Sequence, residues 1–400
     1  MVRETSAGSA GNGRWLRAGI LVASAAGAAL GLGAAAAALA EDDDAAVPIL
    51  PLAVTATTVA TNGDVNPYGV AFVPPRFAAG GVLKPGDLLV TNYDNKVPHA
   101  GLGTTIVRIQ PNGKQSTFFT GTGVGLTAGL WALRAGFVLV ANLPTLDGTI
   151  ATVQKGSVLV LDKNGVLVTS IADPNLLNGP WELTVHDMGN RALLFVANVL
   201  DGTVTRLELD VANNTVTAKN LTKIASGYVH KLDPAVLVIG PSGLAFDARQ
   251  DALYVASTGD NMIFRVANAA RATADLGKGT VTFADQMHLH APLGLVLGPN
   301  GNLFVANSDG VVATADANQP SEIVEFTLAG QFVAQQPVDA ALGGAFSLDF
   351  DRSNVAGVVR FAAIDDVNNT AIIWKVPTRF GESSGMGSFV GEFAQHGHRD

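Results

Sequence analysis

The chain has 400 residues, of which 48% are hydrophobic and only 15% charged, so there is ample apolar material for a large core. Its net charge of −9 contains no basic block, which argues against the phosphate-gripping surface of a nucleic-acid-binding protein. Cysteine is absent, and this excludes a disulfide framework, a zinc–thiolate centre and a thiol nucleophile.

The first 40 residues read differently from the rest. A polar start carrying Arg14 and Arg17 leads into an Ala/Gly/Leu-rich run that ends in Ala38-Leu39-Ala40, immediately before Glu41-Asp42-Asp43-Asp44. That is the layout of a cleaved export signal. An uncleaved anchor is the alternative, because the run is long enough to span a bilayer; the weak hydrophobicity of alanine favours cleavage. On this reading residues 1–40 are a signal peptide, 41–53 a mature N-terminal linker, and the mature chain is secreted or periplasmic. It then carries 22 basic and 33 acidic residues, a net charge of −11. No later segment is long and apolar enough to cross a membrane.

From residue 54 onward one order of events repeats. A Pro-x-Gly turn opens an apolar strand, as in Pro67-Tyr68-Gly69-Val70-Ala71-Phe72, Pro241-Ser242-Gly243-Leu244-Ala245-Phe246 and Pro292-Leu293-Gly294-Leu295. A polar turn follows, then a second strand with a recurring ending: Val90-Thr91-Asn92, Val140-Ala141-Asn142, Val196-Ala197-Asn198, Val255-Ala256-Ser257 and Val305-Ala306-Asn307. A degenerate sixth copy is Arg360-Phe361-Ala362-Ala363-Ile364, followed by Asp365 and Asp366. Copies lie 50 to 59 residues apart, a period that with short strands signals a β-propeller. Third and fourth strands follow each copy, joined by turns such as Pro111-Asn112-Gly113 and Lys163-Asn164-Gly165. The expectation is an all-β, six-bladed β-propeller of four-stranded antiparallel blades over 54–377, with blades at about 64–122, 123–174, 175–228, 229–286, 287–340 and 341–377. The last blade lacks an outer strand. Residues 54–61 are expected to supply it and close the ring, because closure removes a free edge; Ser388 to Phe393 is the local alternative. Residues 378–400 read as a C-terminal tail.

The pattern Pro-x-Gly-apolar-Ala, then Leu-Tyr/Phe-Val-Ala-Asn/Ser, resembles NHL-type repeats, and about residues 50–377 resemble the six-bladed NHL and SMP-30/gluconolactonase (TolB-like) group. The resemblance is specific for fold. For activity it implies calcium-dependent lactonases, lyases or proteins that only bind partners.

Three constellations are candidates for function. Second-to-third-strand loops open on the same face as the blade-to-blade crossovers, so Asn92, Asn142, Asn198, Ser257, Asn307 and Asp365 are expected to ring the channel mouth there. Their oxygens are hard donors suited to Ca²⁺; Asx turns that satisfy local backbone groups are the structural alternative. Glu182 replaces the glycine found at the matching place in other blades (Gly69, Gly129, Gly243, Gly294). It is the best match to the calcium-holding glutamate that the resemblance implies, and a local ion pair or backbone hydrogen bond is its alternative. Asp260, Asp365 and Asp366 are candidates for the family's catalytic aspartate, though none sits in a clear motif. His99, His230, His288 and His290 lie in loops on the crossover face and form a possible imidazole group, whereas His186 beside Asp187 is read as structural. No nucleophile elbow, Walker loop or dinucleotide-binding glycine pattern is present in the sequence. The reading of function is therefore an exported, monomeric binding scaffold that presents one loop face to a small molecule, glycan or protein, with Ca²⁺ the one cofactor the residues suggest. The alternative is a Ca²⁺-dependent lactonase-type hydrolase with Glu182, Asn198, Asn307 and Asp365 holding the metal in the channel.

Overall fold

The computed structural model describes residues 52–377, apart from 98, 213, 309–321, 340, 342 and 353–357. The expected signal peptide, most of the linker, the 378–400 tail with Ser388–Phe393, and most of the loop after Asn307 lie outside the described residues.

The chain forms β1 (Leu52–Thr57) and then six blades in order. Blade 1 holds β2 (Val65–Phe72), β3 (Leu88–Asp94), β4 (Thr105–Ile109) and β5 (Gln115–Thr120). Blade 2 holds β6 (Leu126–Leu133), β7 (Phe137–Asn142), β8 (Ser157–Asp162) and β9 (Leu167–Ile171). Blade 3 holds β10 (Pro180–Asp187), β11 (Arg191–Asn198), β12 (Thr203–Ala212) and β13 (Thr215–Ser226). A short hairpin of β14 (Lys231–Asp233) and β15 (Leu237–Ile239) precedes blade 4, which is β16 (Pro241–Asp247), β17 (Ala252–Ser257), β18 (Met262–Ala267) and β19 (Thr280–Phe283). Blade 5 holds β20 (Pro292–Leu297), β21 (Leu303–Asn307), β22 (Glu322–Phe326) and β23 (Phe332–Pro337). Blade 6 holds β24 (Ala345–Phe350), β25 (Val358–Asp365) and β26 (Thr370–Pro377), and β1 is its fourth strand. Every blade is a four-stranded antiparallel sheet, sequential in blades 1–5 and ordered β24-β25-β26-β1 in blade 6, so the fold is an all-β six-bladed propeller. Ring closure runs from Leu52 opposite Lys375 to Thr57 opposite Thr370.

The recurring second-strand phrase has a packing cause. Each second strand is sandwiched between neighbouring blades and is buried on both faces, so it reads as continuous apolar sequence rather than alternation. Six apolar clusters fill the six gaps between blades: Leu139 and Val196 share one, Leu253 and Phe195 the next, and Val90 packs with Ile364 where the ring closes. Outer strands face water, and β9 and β23 expose nearly every residue.

The Pro-x-Gly openings mark β-bulges. The inner strand slips register against its partner between Pro67 and Val70, Pro241 and Leu244, and Pro292 and Leu295. Inner strands of adjacent blades crowd together there. A Cβ on Gly129 would lie 2.6 Å from the Ala141 Cβ and 3.0 Å from the Leu183 backbone nitrogen, so only glycine fits. Among the described residues no helix is long and apolar enough to cross a membrane.

Candidate functional site

The ring has two unlike faces. The crossover face carries the blade-to-blade connections and the second-to-third-strand loops; the turn face carries the tight turns between first and second strands.

On the crossover face the axis is plugged. Tyr68, Trp181 and Phe346 enter from the starts of β2, β10 and β24, and Tyr93 from the end of β3. Their ring centroids stand 4.6 to 5.3 Å apart, in tilted and edge-on pairs. Leu237 and Val238 of the β14–β15 hairpin pack into the same cluster and cap it. A cavity of about 120 Å³ remains between cap and plug, lined by Trp181, Val236, Val238 and Phe346 among others.

The turn face carries the larger opening. The central channel forms a cavity of about 530 Å³. Its wall includes one residue in the same register from five of the six inner strands. Trp131, Thr184, Ala245, Val296 and Asp349 lie directly opposite Leu139, Phe195, Tyr254, Phe304 and Ala362 on their second strands. Arg76, Arg134, Asp187 and Arg352 follow or end the inner strands at the mouth. Arg134 is tied to Asp187 (Nε to Oδ2 3.4 Å), while Arg352 lies over the Trp131 ring at 4.3 Å and pairs with Asp349 Oδ1 at 3.3 Å. Arg76 has no ion pair among the described residues.

Glu182 lines this channel, as its place on an inner strand implies. It is 8% exposed; Oε1 accepts the Leu183 N–H at 2.8 Å, and no cation pairs with it among the described residues. Burial therefore pushes its carboxyl up to about 8, helped by the charge of Asp349 and opposed by the Leu183 hydrogen bond. Asp349 is also raised by burial, against the pull of Arg352 and of the backbone N–H groups of Phe72 and Phe350. The channel thus holds two carboxyls in different settings. One has a cationic partner and one does not.

Asp349 was open to detection from sequence. Blade 6 reads Ser347-Leu348-Asp349-Phe350 where blade 4 reads Gly243-Leu244-Ala245-Phe246, so a carboxylate replaces a small channel-wall residue. The aromatic plug carried no such mark, because its four rings come from three different blades.

The Asn ring does not line the channel. Its members end second strands, one strand out from the axis, where the incoming crossover covers them. Asn142 Oδ1 accepts the Gly125 N–H at 2.9 Å, Asn198 Oδ1 the Asn178 N–H at 3.2 Å, and Asn307 Oδ1 the His290 N–H at 3.1 Å. Asn92 donates instead, to the Thr58 carbonyl at 2.9 Å. Ser257 donates to Asp260 at 2.7 Å. These groups latch each crossover to the strand beside it, and neither cavity is lined by them. Asp365 caps the β25–β26 turn by accepting from the Asn368 backbone and side chain.

Nor do the histidines converge. His99 and His230 are exposed, each with Nδ1 on a nearby carbonyl, Val97 and Tyr228. His288 pairs with Asp285 and stacks on Phe332 at 3.8 Å, and His290 is buried beside Asn307. His186 packs against Phe246. Asp260 is held below the usual carboxylate range; burial raises it, but hydrogen bonds from Lys278, Ser257 and Val229 N–H outweigh that. Among the described residues no three acidic or imidazole side chains form a metal-ligand cluster.

Calcium in the channel is a poor fit. A calcium ion takes six or more oxygens. Asp349 already serves Arg352 and Phe72, Glu182 already serves Leu183, and Asn198, Asn307 and Asp365 are engaged elsewhere.

No protein-family model and no curated protein matches the chain. Among solved structures it is similar to a gluconolactonase from Xanthomonas campestris, with a TM-score of 0.52 and 15% identity over 82% of this chain and 90% of that one. It is also similar to a luciferin-regenerating enzyme (TM-score 0.49, 13% identity, 82% and 95% covered). A third likeness is to regucalcin, a calcium-binding protein from Agrobacterium tumefaciens (TM-score 0.48, 14% identity, 80% and 93% covered). At such identity the first likeness is one of fold, and it agrees with the six blades described above.

Proposed function

We propose that the chain is a small-molecule hydrolase of the lactonase type, with the central channel as its reaction chamber and Glu182 as its proton donor. The observation that carries this reading is a buried carboxyl without a cationic partner, pushed up to about 8 by burial, inside a cavity large enough for a small molecule. The fold likeness to a gluconolactonase agrees with it.

In this reading neutral Glu182 donates a hydrogen bond to the ester and gives its proton to the leaving ring oxygen as the acyl C–O bond breaks. Asp349, a carboxylate made more basic by burial, takes the proton of the attacking water. Lactone and water become one hydroxy acid, and the proton then passes from Asp349 back to Glu182. Arg76, Arg134 and Arg352 at the mouth favour a substrate, and a product, that is anionic. No step is routed through calcium, because the channel donors do not suit it.

The arginine rim also favours a second reading, in which the channel binds an anion without turning it over. One experiment separates the two. A panel of small aliphatic and sugar lactones is assayed at neutral pH, and binding of the matching hydroxy acids is followed by calorimetry. Turnover that falls on the order of 10² to 10⁴-fold in Glu182→Gln supports the hydrolase. Binding of the acids with no turnover supports the binding reading, and neither turnover nor binding overturns both.

We further infer that the mature chain is exported. The support is the sequence of residues 1–40 alone, and the test is the N-terminus of the secreted protein.

A further inference from the structure

The seam where the first blade meets the last holds a second group of buried oxygens, outside the channel. Asp94 ends β3 and is 8% exposed, yet its Oδ1 has no hydrogen-bond partner among the described residues. The amide oxygens of Asn66 and Asn95 are likewise buried without a partner, as is the hydroxyl of Tyr93, a residue 1% exposed. Val65, beside Asn66 on β2, lies directly opposite Asp94 on β3. Asp366, from the β25–β26 turn, lies within electrostatic reach of Asp94, and both carboxyls act on Tyr68. The backbone fixes this meeting. Asn66 N–H donates to Asn369 Oδ1 at 2.8 Å, Thr58 N–H to the Asn369 carbonyl at 2.9 Å, and Asn369 N–H to the Asp366 carbonyl at 3.1 Å.

Buried oxygens without donors are costly. Two carboxylates within electrostatic reach of each other add repulsion.

We infer that this seam is a binding site for a hard divalent cation of the calcium class, held by Asp94 and Asp366 with the amide oxygens of Asn66 and Asn95. Two carboxylates neutralise the dication, the amides supply further hard oxygens, and water completes the shell. Three ligands come from the first blade and one from the last, so the ion clips the ring shut. The site is independent of the channel reading.

The test uses the full chain with terbium as probe, since Tyr68, Tyr93 and Trp181 beside the seam sensitise its emission. The expected result is saturable emission, competed by calcium, with affinity weakened on the order of tenfold or more in Asp94→Asn and Asp366→Asn and unchanged in Glu182→Gln. Calcium should raise the melting temperature of the wild type and not of the two seam variants. In chelator those variants should melt no lower than the wild type, because each removes a buried repulsion; should either misfold, Asn95→Ala carries the same test. Absence of saturable emission in the wild type, or unchanged affinity in the folded seam variants, overturns the inference.

Discussion

Replacing Glu182 by glutamine should convert a pH-dependent penalty into a constant. The glutamate carboxyl stands at about 8 in the folded chain against 4.5 in the unfolded one. Below about pH 4.5 both states hold the proton and burial of Glu182 exacts no titration cost. As pH rises the unfolded chain ionises while the folded chain does not, so stability falls until about pH 8, where both are ionised. The shift corresponds to about 5 kcal/mol. Glutamine keeps the Oε1 acceptor for the Leu183 N–H and never ionises. Denaturant unfolding of both proteins from about pH 4 to about pH 9 should therefore show near-equal stabilities at the acid end. The variant should then gain by roughly 1.4 kcal/mol per pH unit before the difference levels off. Other buried acids titrate in both proteins and cancel in the comparison. A difference that stays flat across the range would refute the isolated, proton-bearing carboxyl. A difference of opposite sign, with the wild type more stable at high pH, would mean that a cation pairs with Glu182 and would return calcium to the channel.

Two further substitutions test the architecture around the site. Asn198→Ala removes the latch formed by Asn178 N–H, the Leu176 carbonyl and the hydroxyls of Thr203 and Thr205. It should cost about 2 to 3 kcal/mol in denaturant unfolding while leaving ligand binding in the channel intact. Gly129→Ala forces a methyl between Ala141 and the Leu183 backbone; a loss of about 1 to 3 kcal/mol is expected, with a fall in channel binding as β10 is pushed aside.

How much of this was legible in the sequence depends on where each residue sits relative to the repeat. Second strands such as Leu303–Asn307 are buried between two blades, so their phrase survives in five copies and in degenerate form in the sixth, and the blade count follows from it. Glu182 stood out because it occupies a slot that four other blades fill with glycine, where inner strands crowd together. The Asn ring was located correctly along the strands and wrongly toward the axis. A strand-end amide turns to the nearest unsatisfied N–H, and that belongs to a crossover whose path the repeat does not encode. Tyr68, Tyr93, Trp181 and Phe346 each resemble ordinary core residues in their own blade; only the ring brings them onto one point. Asp94 and Asp366 are separated by most of the chain and come within electrostatic reach of each other where blade 1 packs on blade 6.

That pairing also governs how the molecule must assemble. A solenoid of stacked repeats can nucleate anywhere and grow outward, but this ring joins Leu52 to Lys375, so its closing hydrogen-bond ladder awaits β26, the last described strand. Bringing ends about 320 residues apart together costs roughly 5 kcal/mol of chain entropy if the intervening blades are still unformed. The cost largely vanishes once five blades have stacked and hold the two edges side by side. Assembly should therefore run through an open arc with two raw sheet edges, a species prone to pairing with its own kind. Closure of that arc, rather than formation of any one blade, sets the passage to the native state.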